Sequence, residues 1–171
     1  MNRNVEIKAR VGDLAVVAEI VEQLADKGPV SLEQEDTFFR CSRGRLKLRR
    51  SGDGAPGELI FYRRGNAAGP KESRYVIHRT SDPEGLLTVL AAALEVRAVV
   101  RKRRTLYLIG PTKVHLDEVE GLGPFVELEV ILRPGQDISE GVAIAHDLIG
   151  KLGISQHQFV ERAYVDLLLD Q

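Results

Sequence analysis

Tryptophan is absent from this chain, cysteine and methionine occur once each, and Phe and Tyr together make up 5% of the 171 residues. The lone cysteine, Cys41, cannot close an intrachain disulfide, and it reads as a small apolar residue rather than a nucleophile. No apolar run is long enough for a secretory h-region or a membrane span, so no membrane partner is expected and a cytoplasmic location is the default. An excess of one charge is missing too: 24 Lys and Arg stand against 25 Asp and Glu, a formal net charge of −1. That balance argues against nucleic-acid binding by bulk electrostatics, although a basic stripe could still be hidden inside a neutral total. Repeats, low-complexity tracts and linkers are also lacking. With 43% hydrophobic residues, 171 positions fit a single domain spanning 1–171.

What the chain has is alternation. In Asn4-Val5-Glu6-Ile7-Lys8-Ala9-Arg10 apolar and polar residues take turns, so Glu6, Lys8 and Arg10 share one face of a strand. The pattern returns in Arg45-Leu46-Lys47-Leu48-Arg49, in Val100-Arg101-Lys102-Arg103-Arg104 and, with acids, in Phe125-Val126-Glu127-Leu128-Glu129. Strands are expected at about 4–10, 36–41, 45–51, 58–64, 73–79, 97–108, 113–119 and 125–132. Turn signals at Ser51-Gly52-Asp53-Gly54, from Gly65 to Gly69, and at Gly110-Pro111 join several of them as antiparallel hairpins. Helices are predicted after Asp13 (Leu14, Val17, Val21, Leu24, ending near Gly28), after Ser81-Asp82-Pro83 (Glu84 to Leu94), from Ser139, and over roughly Gln158 to Leu169. These elements make an α+β domain: an eight-stranded antiparallel barrel with helices packed outside.

A solvated sheet face would alternate in the same way. Four strands bearing the pattern together favour a lumen lined with charge, its apolar faces turned outward beneath the helices. Such a lumen cannot stay dry, because isolated buried charges are costly. Its cations would be Lys8, Arg10, Lys47, Arg49, Lys102 and Arg104, with Arg63, Arg64 and Arg74 as further candidates; its acids would be Glu6, Asp117, Glu127 and Glu129. Arg and Lys neutralise phosphate oxygens, and carboxylates tolerate a polyphosphate when a divalent cation stands between them. Strand alternation splits Arg101-Lys102-Arg103-Arg104 two and two, which argues against a single RNA-binding patch. Phe38, Phe39, Phe61, Tyr62, Tyr75 and Tyr107 read as core, Glu118 and Glu120 as solvent-facing, and His115 shares the parity of Asp117 as a candidate acid or base.

These residues resemble the CYTH superfamily, the triphosphate tunnel metalloenzymes. Asn4-Val5-Glu6-Ile7-Lys8 is similar to its Glu-x-Glu-x-Lys signature. The likeness continues through Gln34-Glu35-Asp36-Thr37-Phe38-Phe39, Gly44-Arg45-Leu46-Lys47-Leu48-Arg49, Lys102-x-Arg104 with Tyr107, and the run from Asp117 to Glu129. The closing Ala163-Tyr164-Val165-Asp166-Leu167-Leu168 resembles the class IV adenylyl cyclase-like branch.

The resemblance implies a metal-dependent triphosphate-processing enzyme using Mg²⁺ or Mn²⁺. Phosphates would be held by Lys8, Arg10, Lys47, Arg49, Arg63, Arg74, Lys102 and Arg104. Metal would be held by Glu6, Asp117, Glu127 and Glu129, and the catalytic set would be Glu6, Lys8, Glu127 and Glu129. Asn4 stands where the signature has its first glutamate, which removes one acidic ligand and bears on which metal is preferred. The reaction expected is hydrolysis of a nucleoside, thiamine or inorganic triphosphate. The alternatives are cyclisation of ATP to cyclic AMP and pyrophosphate, and a non-enzymatic polyphosphate- or RNA-binding domain with a steep salt slope and no metal requirement. The surface helices leave a homodimer open.

Overall fold

Aspartate caps start the three longer helices. In the computed structural model, which describes residues 1–52 and 54–171, α1 (Leu14–Leu24) is capped by Asp13, whose carboxylate accepts from the amide of Ala15. The cap of α2 (Pro83–Ala93) is Asp82, with proline in the first turn. Asp137 rather than Ser139 caps α3 (Ile138–Lys151), and the Ser139 amide donates to it at 2.7 Å. The short helix expected over roughly Gln158 to Leu169 begins only at Tyr164, as α4 (Tyr164–Leu169), and a 3₁₀ turn at Gln156–Gln158 precedes it. Between them Phe159 bridges Ala9 and the Val160 amide donates to Lys8 O, so the chain is tied to a strand end and cannot coil there.

Eight strands close a barrel: β1 (Asn2–Arg10), β2 (Lys27–Phe39), β3 (Arg45–Ser51), β4 (Gly57–Arg64), β5 (Lys71–Thr80), β6 (Val96–Ile109), β7 (Thr112–Val119) and β8 (Gly123–Ile131). The order around the barrel is β1-β5-β4-β3-β2-β6-β7-β8, and every neighbouring pair is antiparallel. The hairpin signals at Gly65 to Gly69 and Gly110-Pro111 fall between paired strands. The turn containing Asp53 also joins paired strands, but Asp53 itself lies outside the described residues.

β2 begins nine residues before the expected 36, because the long partner β6 runs beside it as far as Lys27 opposite Leu108. α1 therefore stops at Leu24, well short of Gly28, which already belongs to β2. Gly28 has φ +111, and a Cβ there would stand 2.7 Å from Leu106 O, so only glycine fits this pairing.

Two cores result from the alternation. Outward residues of β1, β7 and β8, including Val5, Ile7, Val114, Leu116, Val126, Leu128 and Val130, pack under Val17 and Val21 of α1 and Ala145, Leu148 and Ile149 of α3. α3 comes close enough that a Cβ on Gly141 would lie 2.7 Å from Val5 Cγ2. The second core fills one end of the barrel. There the inward residues turn apolar (Phe38, Val100, Val119, Phe125), and Ala163, Tyr164 and Val165 pack among them. α2 differs from α1 and α3 in burying none of its residues, and Val89 on it is 64% exposed. No helix among the described residues is long and apolar enough to cross a membrane.

Candidate functional site

Above that apolar plug the lumen is a cavity of about 300 Å³, within the range of small-molecule sites. Among the described residues its lining carries eight Lys and Arg side chains against five Asp and Glu. Neutral overall, the protein has concentrated its surplus of positive charge in one enclosed space.

Two ionic clusters organise this lining. The first is built on Asp36, 2% exposed, which accepts from Lys47 Nζ at 2.8 Å, Arg49 Nε at 2.7 Å and Nη2 at 2.9 Å, and Lys102 Nζ at 3.0 Å. Burial alone would push the Asp36 carboxyl up; Arg49, Lys102 and Lys47 outweigh it and hold the group well below the usual range. Burial pushes the Lys102 ammonium down, and Arg49, Arg104 and Lys47 push it the same way against Asp36, to about 7. One carboxylate among three cations leaves the cluster short of negative charge.

The second cluster joins β1, β6, β7 and β8. Arg104 donates two parallel bonds to Asp117, each 2.6 Å, and a third to Glu127 Oε2 at 2.8 Å. Lys8 Nζ stands 3.2 Å from Glu127 Oε1 and 3.8 Å from the centre of the Tyr164 ring. Burial opposes ionisation of Glu127, yet Lys8, His115 and Arg104 keep its carboxyl well below the ordinary range. The Glu6 carboxyl is raised: burial and the neighbouring Glu127 and Glu129 outweigh its ion partners Arg64 and Lys8. His115 Nδ1 lies 3.7 Å from Glu127 and 3.8 Å from Glu129, with the imidazole held below its usual value by burial and by Arg104.

The structure brings together Glu6, Lys8, Lys47, Arg49, Lys102, Arg104, Glu127 and Glu129 in the lumen. Four expected residues sit elsewhere. Arg63 faces outward on β4, donating to Arg43 O at 2.8 Å beside the Phe61 ring, while its neighbour Arg64 turns inward to Glu6. Arg74 faces outward on β5 beside Glu72. Arg10 has the inward parity but lies at the plugged end, exposed, donating to Leu122 O over the Phe125 ring. Asp117 is fully buried with both oxygens taken by Arg104 and one also by the Tyr164 hydroxyl at 2.7 Å, so here it orients Arg104.

Phe38, Tyr62 and Tyr75 line the lumen, whereas Tyr107 belongs to the outer core. Cys41 is half-buried. Arg101 and Arg103 are exposed while Lys102 and Arg104 are buried, the expected two-and-two split, and Glu118 and Glu120 face solvent.

Sequence reasoning gave no role to Asp36, Tyr164 or the inward Lys113. Asp36 was visible at inward parity within Gln34-Glu35-Asp36, two residues before Phe38. The part Tyr164 plays depends on chain reversal and left no local signal.

The residues fit a divalent cation. Glu127 and Glu129 converge with His115, one donor atom from each lying within 4.8 Å of the others. Both His115 Nδ1 and Asn4 Oδ1 are buried without a hydrogen-bond partner among the described residues.

A closed eight-stranded antiparallel barrel with such a lumen and helices outside is the triphosphate tunnel fold. The CYTH domain family profile matches residues 2–164, and the chain belongs to that family. It is 31% identical over 98 residues to adenylate cyclase CyaB of Aeromonas hydrophila; the match spans 56% of this chain and about half, 51%, of that protein. The PH1012 protein of Pyrococcus horikoshii OT3 superposes with a TM-score of 0.86 at 26% identity, covering 96% of this chain and 98% of the other. The Hippeastrum protein HpAC1, named for adenylyl cyclase and described as having a dominant triphosphatase activity, shares the fold with a TM-score of 0.68 at 16% identity, over 98% of this chain and 95% of its own.

Proposed function

We propose that the tunnel binds a triphosphate with a divalent cation and hydrolyses it, on a nucleoside, thiamine or inorganic triphosphate. The observation that carries this reading is the pairing of a cation surplus with convergent carboxylates in one closed-ended cavity. Lys47, Arg49 and Lys102, held together by Asp36, would take one part of the phosphate chain; Lys8, Arg64 and Arg104 would take the part nearest the acids. Each of these cations is already matched to a carboxylate, so binding exchanges partners within a set geometry and requires little reorganisation.

Glu127, Glu129 and Glu6 are the candidate metal holders, and the ion, Mg²⁺ or Mn²⁺, would supply charge neutralisation of the phosphates and activation of water. Ionised Glu127 suits a metal-holding role. Phosphoryl transfer asks mainly for such positioning and compensation. Leu32, Ile77, Leu106 and Tyr75 also line the cavity, which supports a substrate with an organic group.

The second reading is cyclisation of ATP, with the ribose hydroxyl attacking in place of water; the similarity to the Aeromonas cyclase favours it. Anion-exchange analysis of products from ATP and from inorganic triphosphate, with Mg²⁺, Mn²⁺ or chelator, separates the two. We expect metal-dependent orthophosphate, none in chelator, and a loss of about 100-fold or more in turnover for Glu127→Gln with unchanged far-UV circular dichroism. Cyclic AMP with pyrophosphate would establish the cyclase instead. Binding with a steep salt slope, no metal requirement and no product would leave a polyanion-binding domain.

A further inference from the structure

The family signature places its metal on carboxylates, and this chain has an amide, Asn4, at the first acidic position. On the opposite side of β8 from β1 stands a group that the carboxylate reading leaves unused. His115 on β7 is 4% exposed, lines the cavity, and lies directly across from Glu127 in the β7–β8 pairing. Its Nδ1 has no hydrogen-bond partner among the described residues. The two carboxylate oxygens beside it, Glu127 Oε2 at 3.7 Å and Glu129 Oε1 at 3.8 Å, are beyond hydrogen-bond reach.

Those distances have a different meaning for an ion. When each bond is about 2.1 Å, donor atoms on one dication stand about 3 to 4 Å apart. Both separations from Nδ1 fall in that interval, and all three donors lie within 4.8 Å of one another, so a shift of under about 1 Å would close the set. A buried imidazole nitrogen directed between two carboxylates, too far from either to bond, has the placement of a ligand without its ion.

We infer that His115 is a metal ligand, completing with Glu127 and Glu129 a mixed nitrogen–oxygen centre that takes a transition-metal dication such as Mn²⁺ in preference to Mg²⁺. Magnesium favours an all-oxygen shell, whereas imidazole nitrogen suits the first-row transition metals. Two carboxylates and a neutral imidazole balance one dication without the glutamate that Asn4 replaces. The bond from Arg104 Nη2 to Glu127 Oε2, 2.8 Å, would fix the orientation of that carboxylate from outside the centre. The inference rests on the proposed metal–triphosphate reading and adds to it which nitrogen binds and which metal is selected.

Pulsed electron paramagnetic resonance on the full chain loaded with Mn²⁺ tests it without recourse to activity. The wild type should show ¹⁴N modulation from a directly bound imidazole, and His115→Gln should abolish it. Mn²⁺ affinity, read from the free-ion signal, should fall about 10- to 100-fold in His115→Gln while Mg²⁺ affinity changes much less. His115→Asp, which restores an all-oxygen set, should shift the Mn²⁺-to-Mg²⁺ preference toward Mg²⁺, and far-UV circular dichroism checks that both variants fold. Bound Mn²⁺ with no ¹⁴N coupling would overturn the inference. So would loss of binding in Glu127→Gln alongside unchanged binding and selectivity in His115→Gln, an outcome that leaves the metal–triphosphate reading intact. No Mn²⁺ binding by the wild type, even with inorganic triphosphate present, would overturn both.

Discussion

Lys102 shows how a single side chain can link charge to occupancy. Burial, reinforced by Arg49, Arg104 and Lys47, depresses its ammonium to about 7, and Asp36 only partly restores it. Phosphate oxygens arriving beside it favour the charged form, so the group must gain a proton on binding wherever the pH lies above its free value. The sign follows: uptake is small at pH 6, where Lys102 is already charged, and approaches about one proton at pH 8. Titration calorimetry of inorganic triphosphate in buffers of different ionisation enthalpy should show that slope at pH 8. Lys102→Met should remove most of it; a residual slope would report Lys47, whose ammonium burial and Arg49 also push down within the same cluster. Equal enthalpies in all buffers would mean that Lys102 does not change its protonation on binding.

The elements differ in how far their orientation can be read from sequence. In β1, β3 and β8 charge alternates with aliphatic residues, so one face is marked and Glu6, Lys8, Lys47, Arg49, Glu127 and Glu129 could be placed inside, whereas the four successive charges from Arg101 to Arg104 in β6 mark neither face. In β4 the run Leu59-Ile60-Phe61-Tyr62 is apolar on both faces, which hides the parity and makes Arg63 and Arg64 indistinguishable until the pairing with β5 is seen. The first half of β2 holds Gly28 and Pro29 and is largely exposed, so only its partner β6 reveals it as a strand. The segment before α4 contains good helix formers, but its bonds to Ala9 and Lys8 override that propensity.

That segment delivers Tyr164, whose ring packs edge-on against Phe125 at 5.0 Å and whose hydroxyl donates to Asp117. Tyr164→Ala should therefore cost about 3–5 kcal/mol of stability, the range for removing a large buried aromatic side chain. Tyr164→Phe keeps the ring and should cost about 1.5–3 kcal/mol, the worth of one hydrogen bond to a charged group, since both Asp117 oxygens keep their bonds from Arg104. Urea denaturation of both variants checks the ranking, and equal losses would place the whole contribution in the hydroxyl.

At the scale of the molecule, barrel closure and helix packing have exchanged the usual inside and outside. The main apolar core lies between the barrel wall and helices α1 and α3, while the barrel interior packs an apolar cluster where the C-terminal segment enters it and is mainly charged and polar beyond. This arrangement closes the sheet on itself and concentrates positive charge in its lumen. It also makes the passage a cul-de-sac, in which the first group to go in is the last that can come out. On the proposed hydrolysis, if the terminal phosphate leads, the orthophosphate would wait behind the remaining diphosphate, and release would be ordered by geometry alone. Steady-state product inhibition should record that queue: orthophosphate competitive with the triphosphate, the diphosphate product noncompetitive. The reverse pattern would mean that the substrate enters with its other end first.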